Sequence, residues 1–152
     1  MNPLLLFILS LCWDPSPSPE VTSYRVYIDG IYRDAVTTTR ATVGGLEPGR
    51  VYGFTVTAAT VDGIESEPSN ELRYVMPVMS IRADTRMIYF QVPRQANWAN
   101  TEYFLESTSD FQTWRNEVYL IDNETGSTSF AHEPYRFYRV RINVKPEGCA
   151  GT

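Results

Sequence analysis

The stretch from Leu46 to Ala59, LEPGRVYGFTVTAA, limits the possible folds of this chain more than any other. Pro48-Gly49 is a turn signal, because proline presets its own φ and glycine tolerates the positive φ that follows. Residues 51–58 then alternate in polarity, which is typical of a strand with one buried face. Tyr52 opens this strand, and a tyrosine in that place can return its hydroxyl to the backbone just upstream. The stretch therefore predicts a locked turn followed by a half-buried strand.

Composition and the spacing of proline and glycine residues indicate an all-β protein. The chain has 152 residues, enough for one large or two small domains, and 43% of them are hydrophobic and 13% aromatic. This apolar content is ample for a packed core and argues against global disorder. Proline and glycine recur at short intervals, and no long window shows a clear helical period. We therefore expect β-strands joined by tight turns.

Further strand and turn signals surround the first stretch. Leu11-Cys12-Trp13 ends an apolar run and is followed by a proline-rich turn. Residues 21–28 alternate, with Tyr24, Val26 and Ile28 predicted on the buried face and Arg25 and Tyr27 on the other. Asp29-Gly30 and Asp62-Gly63 are hairpin turn signals.

In their spacing and order, these features resemble the fibronectin type III domain over about residues 9–76. The resemblance implies an immunoglobulin-like β-sandwich and a non-catalytic building or binding module. It also implies that five residues belong to the structural core, namely Trp13, Leu46, Pro48, Gly49 and Tyr52.

The second half resembles a small β-sandwich module that accompanies fibronectin type III repeats in bacterial surface, secreted and phage proteins. The resemblance rests on the strand Leu105-Glu106-Ser107, the turn from Asp110-Phe111 to Trp114, and the strand 137–140, Phe-Tyr-Arg-Val. It implies that Trp114 caps its own sandwich. The predicted fold is thus all-β, with two tandem immunoglobulin-like or fibronectin type III-like sandwiches at 1–76 and 77–145 and a tail at 146–152. No Gly/Ser-rich linker separates the two.

The apolar N-terminus admits two interpretations, an export signal or a strand. We favour the strand, because a positively charged segment and a small-x-small cleavage site are both lacking. The resembled family has one more strand ahead of the Trp13 strand, so we expect an open sheet edge there, which natural proteins rarely leave bare. We therefore predict an assembly interface with other protein subunits, formed by Leu4, Leu5, Leu6, Phe7 and Ile8. The run is too short to span a membrane, so no transmembrane span is expected.

The sequence carries no pattern that predicts catalysis or a cofactor. The single histidine, His132, lies in a turn-like stretch without a partner motif for general-base work. One histidine and two distant cysteines cannot supply a zinc site, and no calcium-binding loop pattern is present. The net charge of -5 with dispersed basic residues argues against a nucleic-acid partner. We expect a protein that is not an enzyme.

Aromatic residues outside the expected core are candidate contact residues. Trp98 lies in a polar loop and is predicted either to fill an interdomain seam or to sit on a binding surface. Tyr27, Tyr32 and Tyr119 are candidates for outward positions that contact proteins or glycans. The two cysteines, Cys12 and Cys149, are far apart in sequence, which favours two thiols over a bridge.

Three functions follow from these observations. The first is a structural component of a larger assembly, such as a decoration, fibre or tail protein of a phage virion, which engages its neighbours through the apolar N-terminus. The second is a secreted or cell-surface bacterial adhesion or carbohydrate-binding module, with surface glycans as partners. The third is an accessory domain of a glycosidase. The expected location is a virion or an extracellular surface.

Overall fold

The described part of the chain consists of β-strands joined by turns, as expected for an all-β fold. The computed structural model describes residues 5–78, 80–83, 87–91, 101–120, 127–131 and 137–144. The strands among these residues are β1 (Leu5–Cys12), β2 (Val21–Ile28), β3 (Ile31–Val36), β4 (Arg40–Gly44), β5 (Val51–Thr60), β6 (Leu72–Val75), β7 (Ser80–Ala83), β8 (Met87–Gln91), β9 (Thr101–Thr108), β10 (Arg115–Leu120), β11 (Ser127–Ala131) and β12 (Phe137–Val144).

One face of the sandwich is a four-stranded antiparallel sheet in the order β3-β2-β5-β6. The predicted Asp29-Gly30 hairpin joins β2 to β3, with φ of 52° at Asp29 and 77° at Gly30. Two successive positive φ angles match the right-handed twist of the flanking strands, which is why Asp-Gly suits this place. The predicted turn at Asp62-Gly63 follows β5, where the Gly63 N–H donates to the Thr60 carbonyl at 3.0 Å.

A hydrogen bond from the backbone to Tyr52 locks the turn before β5. The Glu47 N–H donates to the Tyr52 hydroxyl at 2.8 Å, and the Tyr52 side chain is buried. Gly49 adopts the positive φ that the turn requires, 80°, and its N–H donates to the Met76 carbonyl at 2.8 Å. The hydrogen bond expected from the position of Tyr52 in the sequence is therefore present, and the same turn is also tied to the chain just beyond β6.

The second sheet has five strands and unites both halves of the chain. Its order is β10-β9-β12-β1-β4. On one side β1 pairs antiparallel with β4, and on the other it pairs in parallel with β12, from Leu5 opposite Tyr138 to Ser10 opposite Asn143. The expectation of an open edge beside β1 is thus wrong over this stretch, because β12 pairs with that edge.

The sequence segment after residue 76 contributes to two sheets. Its strands β9, β10 and β12 belong to the five-stranded sheet, and β7, β8 and β11 form a three-stranded antiparallel sheet in the order β11-β8-β7. The two segments therefore share a continuous sheet through β1 and β12. The domain boundary at 76 stays a prediction, and the predicted tail at 146–152 lies outside the described residues.

A single apolar core also spans the two segments. Val26, Phe54 and Tyr74 come from the four-stranded sheet, and Leu9 and Val140 come from the five-stranded sheet. These strands alternate, so every second residue enters the core and its neighbours face outward. The buried hydroxyls of Tyr74 and Tyr103 lie 3.5 Å apart, and burial raises the pKa of both phenols. The contact joins the last strand of the first segment to β9.

Cys12, at the end of β1, is disulfide-bonded. The expectation of two thiols is therefore wrong. The only other cysteine in the sequence is Cys149, which lies outside the described residues.

Replacing Tyr52 with phenylalanine tests the locked turn. We expect the Tyr52→Phe variant to lose about 1–2 kcal/mol of unfolding free energy, because the Glu47 N–H loses its acceptor beside a buried ring. The measurement is urea denaturation monitored by fluorescence. Tyr32→Phe is the matched control, since that side chain is exposed. An unchanged denaturation midpoint for Tyr52→Phe would contradict the role of the hydrogen bond.

Candidate functional site

The residues predicted as an assembly interface lie at the start of β1. Leu4 is outside the described residues, and only the backbone of Leu5 and Leu6 is described, paired with β12. Phe7 and Ile8 are half-buried, and Phe7 packs against the core. The strand that pairs with this edge of β1 is β12 of the same chain and not a strand of another subunit. The assembly role of these residues stays a prediction.

The predicted core residues divide into three groups. Leu46 and Tyr52 are buried in the core. Pro48 and Gly49 are exposed, which corrects their assignment to the core, because the turn that they form points to solvent. Trp13 is half-buried and packs against the core, with its ring edge-on to Tyr24 at 5.7 Å between centroids.

Trp13 also lines an open cleft of about 310 Å³, together with Tyr24, Val56 and the polar segment 66–70. Its indole N–H is buried and has no hydrogen-bond partner among the described residues. The predicted contact residue Trp98, the histidine His132 and the side chain of Tyr119 lie outside the described residues.

A first candidate contact surface, here called the tyrosine face, lies on the outer side of the four-stranded sheet. It comprises Arg25, Tyr27, Tyr32, Thr57 and Glu65. Tyr27 and Tyr32 lie opposite each other on β2 and β3, with ring centroids 5.9 Å apart and planes at 72°. Tyr32 is 55% exposed. Strand alternation predicts an outward position for Tyr27, and in the structure both rings lie on this one face.

Glu65 fixes the tyrosine face by accepting hydrogen bonds from Thr57, Tyr27 and Arg25. The hydrogen bonds from Thr57 and Tyr27, together with the charge of Arg25, hold the pKa of the Glu65 carboxyl below its usual value. The hydrogen bond to Glu65 and burial raise the pKa of the Tyr27 phenol, and the same carboxylate raises the pKa of Arg25. Tyr27 is neutral at physiological pH. Its hydrogen bond to Glu65 holds the side chain in one orientation, with its ring edge-on to Tyr32.

A second candidate surface, here called the aromatic turn, lies at one end of the five-stranded sheet. It comprises residues 108–114, between β9 and β10, together with Phe137. Phe111 is 60% exposed and Phe137 is 44% exposed, and their ring centroids are only 4.2 Å apart. Trp114 is half-buried and meets Phe111 edge-on at 6.5 Å. The exposed ring of Phe111 in the turn and that of Phe137 at the start of β12 thus form one apolar surface beside the half-buried Trp114.

Hydrogen bonds from Asp110 and Thr108 hold the aromatic turn in place. The Asp110 carboxylate accepts from the Thr113 N–H at 2.8 Å, the Gln112 N–H at 2.9 Å and the Thr108 hydroxyl at 2.9 Å. These bonds, the one from Thr113 foremost, lower the pKa of Asp110 to about 2. The Thr108 hydroxyl oxygen in turn accepts from the Phe111 N–H at 3.0 Å. These hydrogen bonds therefore fix the backbone of the turn at Phe111, the residue with the exposed ring.

Beneath the aromatic turn, Glu106 binds two arginines on β12. Glu106 is 4% exposed and accepts from Arg139 and, at 2.8 Å, from Arg141. The Arg139 guanidinium lies 3.8 Å from the centre of the Trp114 ring, a cation–π contact. Glu106 therefore positions Arg139, and Arg139 covers one side of Trp114.

Sequence reasoning found Tyr27, Tyr32 and the Asp110–Trp114 motif but missed Glu65 and Glu106 as organising residues. Glu65 lies in a serine- and glutamate-rich segment with no strand alternation, so nothing local marks it. Glu106 lies on the outer side of β9, and nothing in the sequence around it indicates that β12 places two arginines beside it. No group of three or more His, Cys, Asp or Glu residues in the described part of the chain could hold a metal ion.

Comparison with known protein families fits this geometry. The family model described as fibronectin type III domain matches residues 9–74. These residues contribute β2, β3, β5 and β6 to one sheet and β1 and β4 to the other, with the locked turn before β5. Residues 9–74 form a fibronectin type III domain. Fibronectin type III domains are generally non-catalytic and serve in structure and binding.

Similar solved structures include a central fibronectin-III array of RIM-binding protein, with 18% sequence identity and a TM-score of 0.40. That match covers 90% of this chain and 52% of the array. A chitinase, ChiA74 from Bacillus thuringiensis, has 16% identity and a TM-score of 0.34, with 82% of this chain and 22% of the chitinase covered. The chain thus spans about half of the first protein and about a fifth of the second, and neither match carries an argument about function. No curated protein matches the sequence.

The described residues include no helix that is long and apolar enough to cross a bilayer.

The low pKa of Asp110 predicts an acid-dependent contribution to stability. A carboxyl whose pKa is lower in the folded state than its unfolded value of about 3.9 stabilises the fold above that pH. The contribution is lost as the pH falls toward about 2. We therefore expect the difference in melting temperature between wild type and Asp110→Asn to shrink as the pH falls from about 5 to about 2. A difference that stays constant over this range would contradict the hydrogen bonds assigned to the carboxylate.

Removing Glu106 tests the support beneath Trp114. We expect Glu106→Ala to lose about 3 kcal/mol of unfolding free energy, because two largely buried arginines lose their counter-charge. Glu71→Ala is the control, since Glu71 pairs with Arg73 at 3.8 Å on the surface and should change stability by less than about 1 kcal/mol. Denaturant titration measures both, and equal losses would contradict the assigned role of Glu106.

Proposed function

We propose that this protein is a non-catalytic binding module displayed outside the cytoplasm, either secreted or on a cell surface. The disulfide at Cys12 is the observation that carries the proposal. Disulfides persist in oxidising compartments and are rare in the cytosol, where thiols are kept reduced. Cys12 ends a strand whose neighbouring residues are in the core, so the bond strengthens the framework of the module.

The tyrosine face supports a binding role for this module. Tyrosine is enriched at protein interfaces, because its ring offers a large contact area and its hydroxyl can still bind a polar partner. Tyr32 is exposed, and Tyr27 beneath it is held by Glu65, so little side-chain freedom is lost on binding. We propose that a partner protein contacts this face.

A structural subunit of a larger particle, such as a virion, is the second candidate. It is favoured by Phe7 and Ile8, which the described part of the chain leaves half-buried, so a neighbouring subunit could cover them. The pairing of β1 with β12 removes the open edge that first suggested this function.

The two candidates differ in where the protein is found and in its assembly state. The experiment is fractionation of the native source, thiol alkylation with intact-mass measurement, and electron microscopy of the recovered protein. An extracellular chain with Cys12 protected from alkylation, and not part of a particle, supports the first proposal. A chain in a symmetric particle would favour the second, and a cytoplasmic chain with alkylated Cys12 would contradict the first.

A further inference from the structure

The aromatic turn places an aromatic residue where turn chemistry favours glycine or asparagine. Phe111 has a φ of 59°, in the left-handed region that its Cβ disfavours. Backbone strain of this kind is concentrated at functional sites, where the surrounding structure holds it in place. Here the backbone N–H groups of Phe111 and Thr113 donate to Thr108 and Asp110, and the Phe111 ring is mostly exposed. The ring packs against Phe137 and Trp114, and its remaining surface is open to solvent, where a ligand can contact it.

The exposed rings form a small apolar surface with a polar rim. Phe111 and Phe137 lie 4.2 Å apart, with their planes inclined at 38°. Around them, the exposed side chains of Ser109, Gln112 and Thr113 carry hydroxyl and amide groups. The apolar part is two rings wide, whereas a stable protein interface buries about 800 Å² on each partner. The surface therefore suits a ligand unit of the size of one or two rings.

Among the described residues around the aromatic turn, the charged groups of Asp110, Arg139 and Arg115 have partners within the chain. Asp110 is held by the N–H groups of its own turn, and Arg139 by Glu106. Arg115 pairs with Glu117 at 2.8 Å. Because these charges have partners, the site offers little attraction to an ionic ligand and suits a neutral one.

From these observations we propose that the aromatic turn binds a neutral polysaccharide. A pyranose ring has an apolar C–H face and a rim of hydroxyls. The C–H face can pack on the exposed rings of Phe111 and Phe137, while the hydroxyls bond to the polar rim. This inference goes beyond the proposed function, because it adds a second ligand class at a site remote in sequence from the tyrosine face.

The test is a pull-down on insoluble cellulose, xylan, mannan and chitin, with affinity constants measured for any polysaccharide that retains the protein. We expect wild type to bind at least one of them. Phe111→Asn keeps a residue that tolerates positive φ, so its melting temperature should match wild type while its affinity falls by about tenfold or more. The matched control is Val61→Ser, an 82% exposed apolar residue elsewhere on the surface, which should bind as wild type does.

Two further measurements keep the outcome decisive. Binding should hardly change between about 0.05 M and 0.5 M salt, because contacts with a neutral ligand are not screened. If Phe111→Asn fails to fold, Phe137→Thr removes the neighbouring ring at a strand position that threonine favours and should lose affinity similarly. Failure of wild type to bind any of the four polysaccharides would overturn the proposal, as would unchanged affinity in the folded ring variant or strong weakening by salt. None of these results bears on the location or the redox state of Cys12, so the two proposals stand or fall separately.

Discussion

The parallel pairing of β1 with β12 is the constraint on which the rest of this structure depends. β1 is the apolar strand that begins the described part of the chain. β12 covers its free edge over residues 5–10, brings β9 and β10 into the same sheet, and places Tyr138, Val140 and Ile142 in the shared core. Besides this pairing, the two segments share the apolar core, in which the hydroxyls of Tyr74 and Tyr103 lie 3.5 Å apart.

The surfaces of the molecule follow from the same arrangement. Strand alternation sends every second residue of β12 into the core, so Phe137, Arg139 and Arg141 must lie on the opposite side of the sheet. There Arg139 meets Trp114 and Glu106, and Phe137 meets Phe111. In the four-stranded sheet, strand alternation likewise places Arg25 and Tyr27 on the outer side. There both side chains donate hydrogen bonds to Glu65. In both places a buried or half-buried carboxylate orders the neighbouring side chains, and an aromatic ring is left exposed beside them.

Local patterns in the sequence were sufficient for the features that depend on neighbouring residues. The Asp29-Gly30 turn, the Pro48-Gly49 turn and the hydroxyl contact of Tyr52 could all be predicted, because each needs only a few adjacent residues. The partner of β1 could not be predicted, since no tight turn connects parallel strands and no local sequence spacing indicates which two strands pair. The disulfide state of Cys12 was predicted wrongly. At Phe111 the motif was visible, but an aromatic residue gives no hint of a left-handed backbone.

The pairing of the first described strand with the last also affects how the protein is made. Contacts between strands far apart in sequence form slowly, because the entropy of closing a long loop is lost before the contact stabilises anything. On the ribosome, the apolar strand β1 emerges before β12 and cannot pair with it until the intervening residues 13–136 have been synthesised. During that interval its edge is free to pair with another chain. Yield of the folded protein should therefore depend on how well chaperones protect this strand while the rest of the chain is being synthesised.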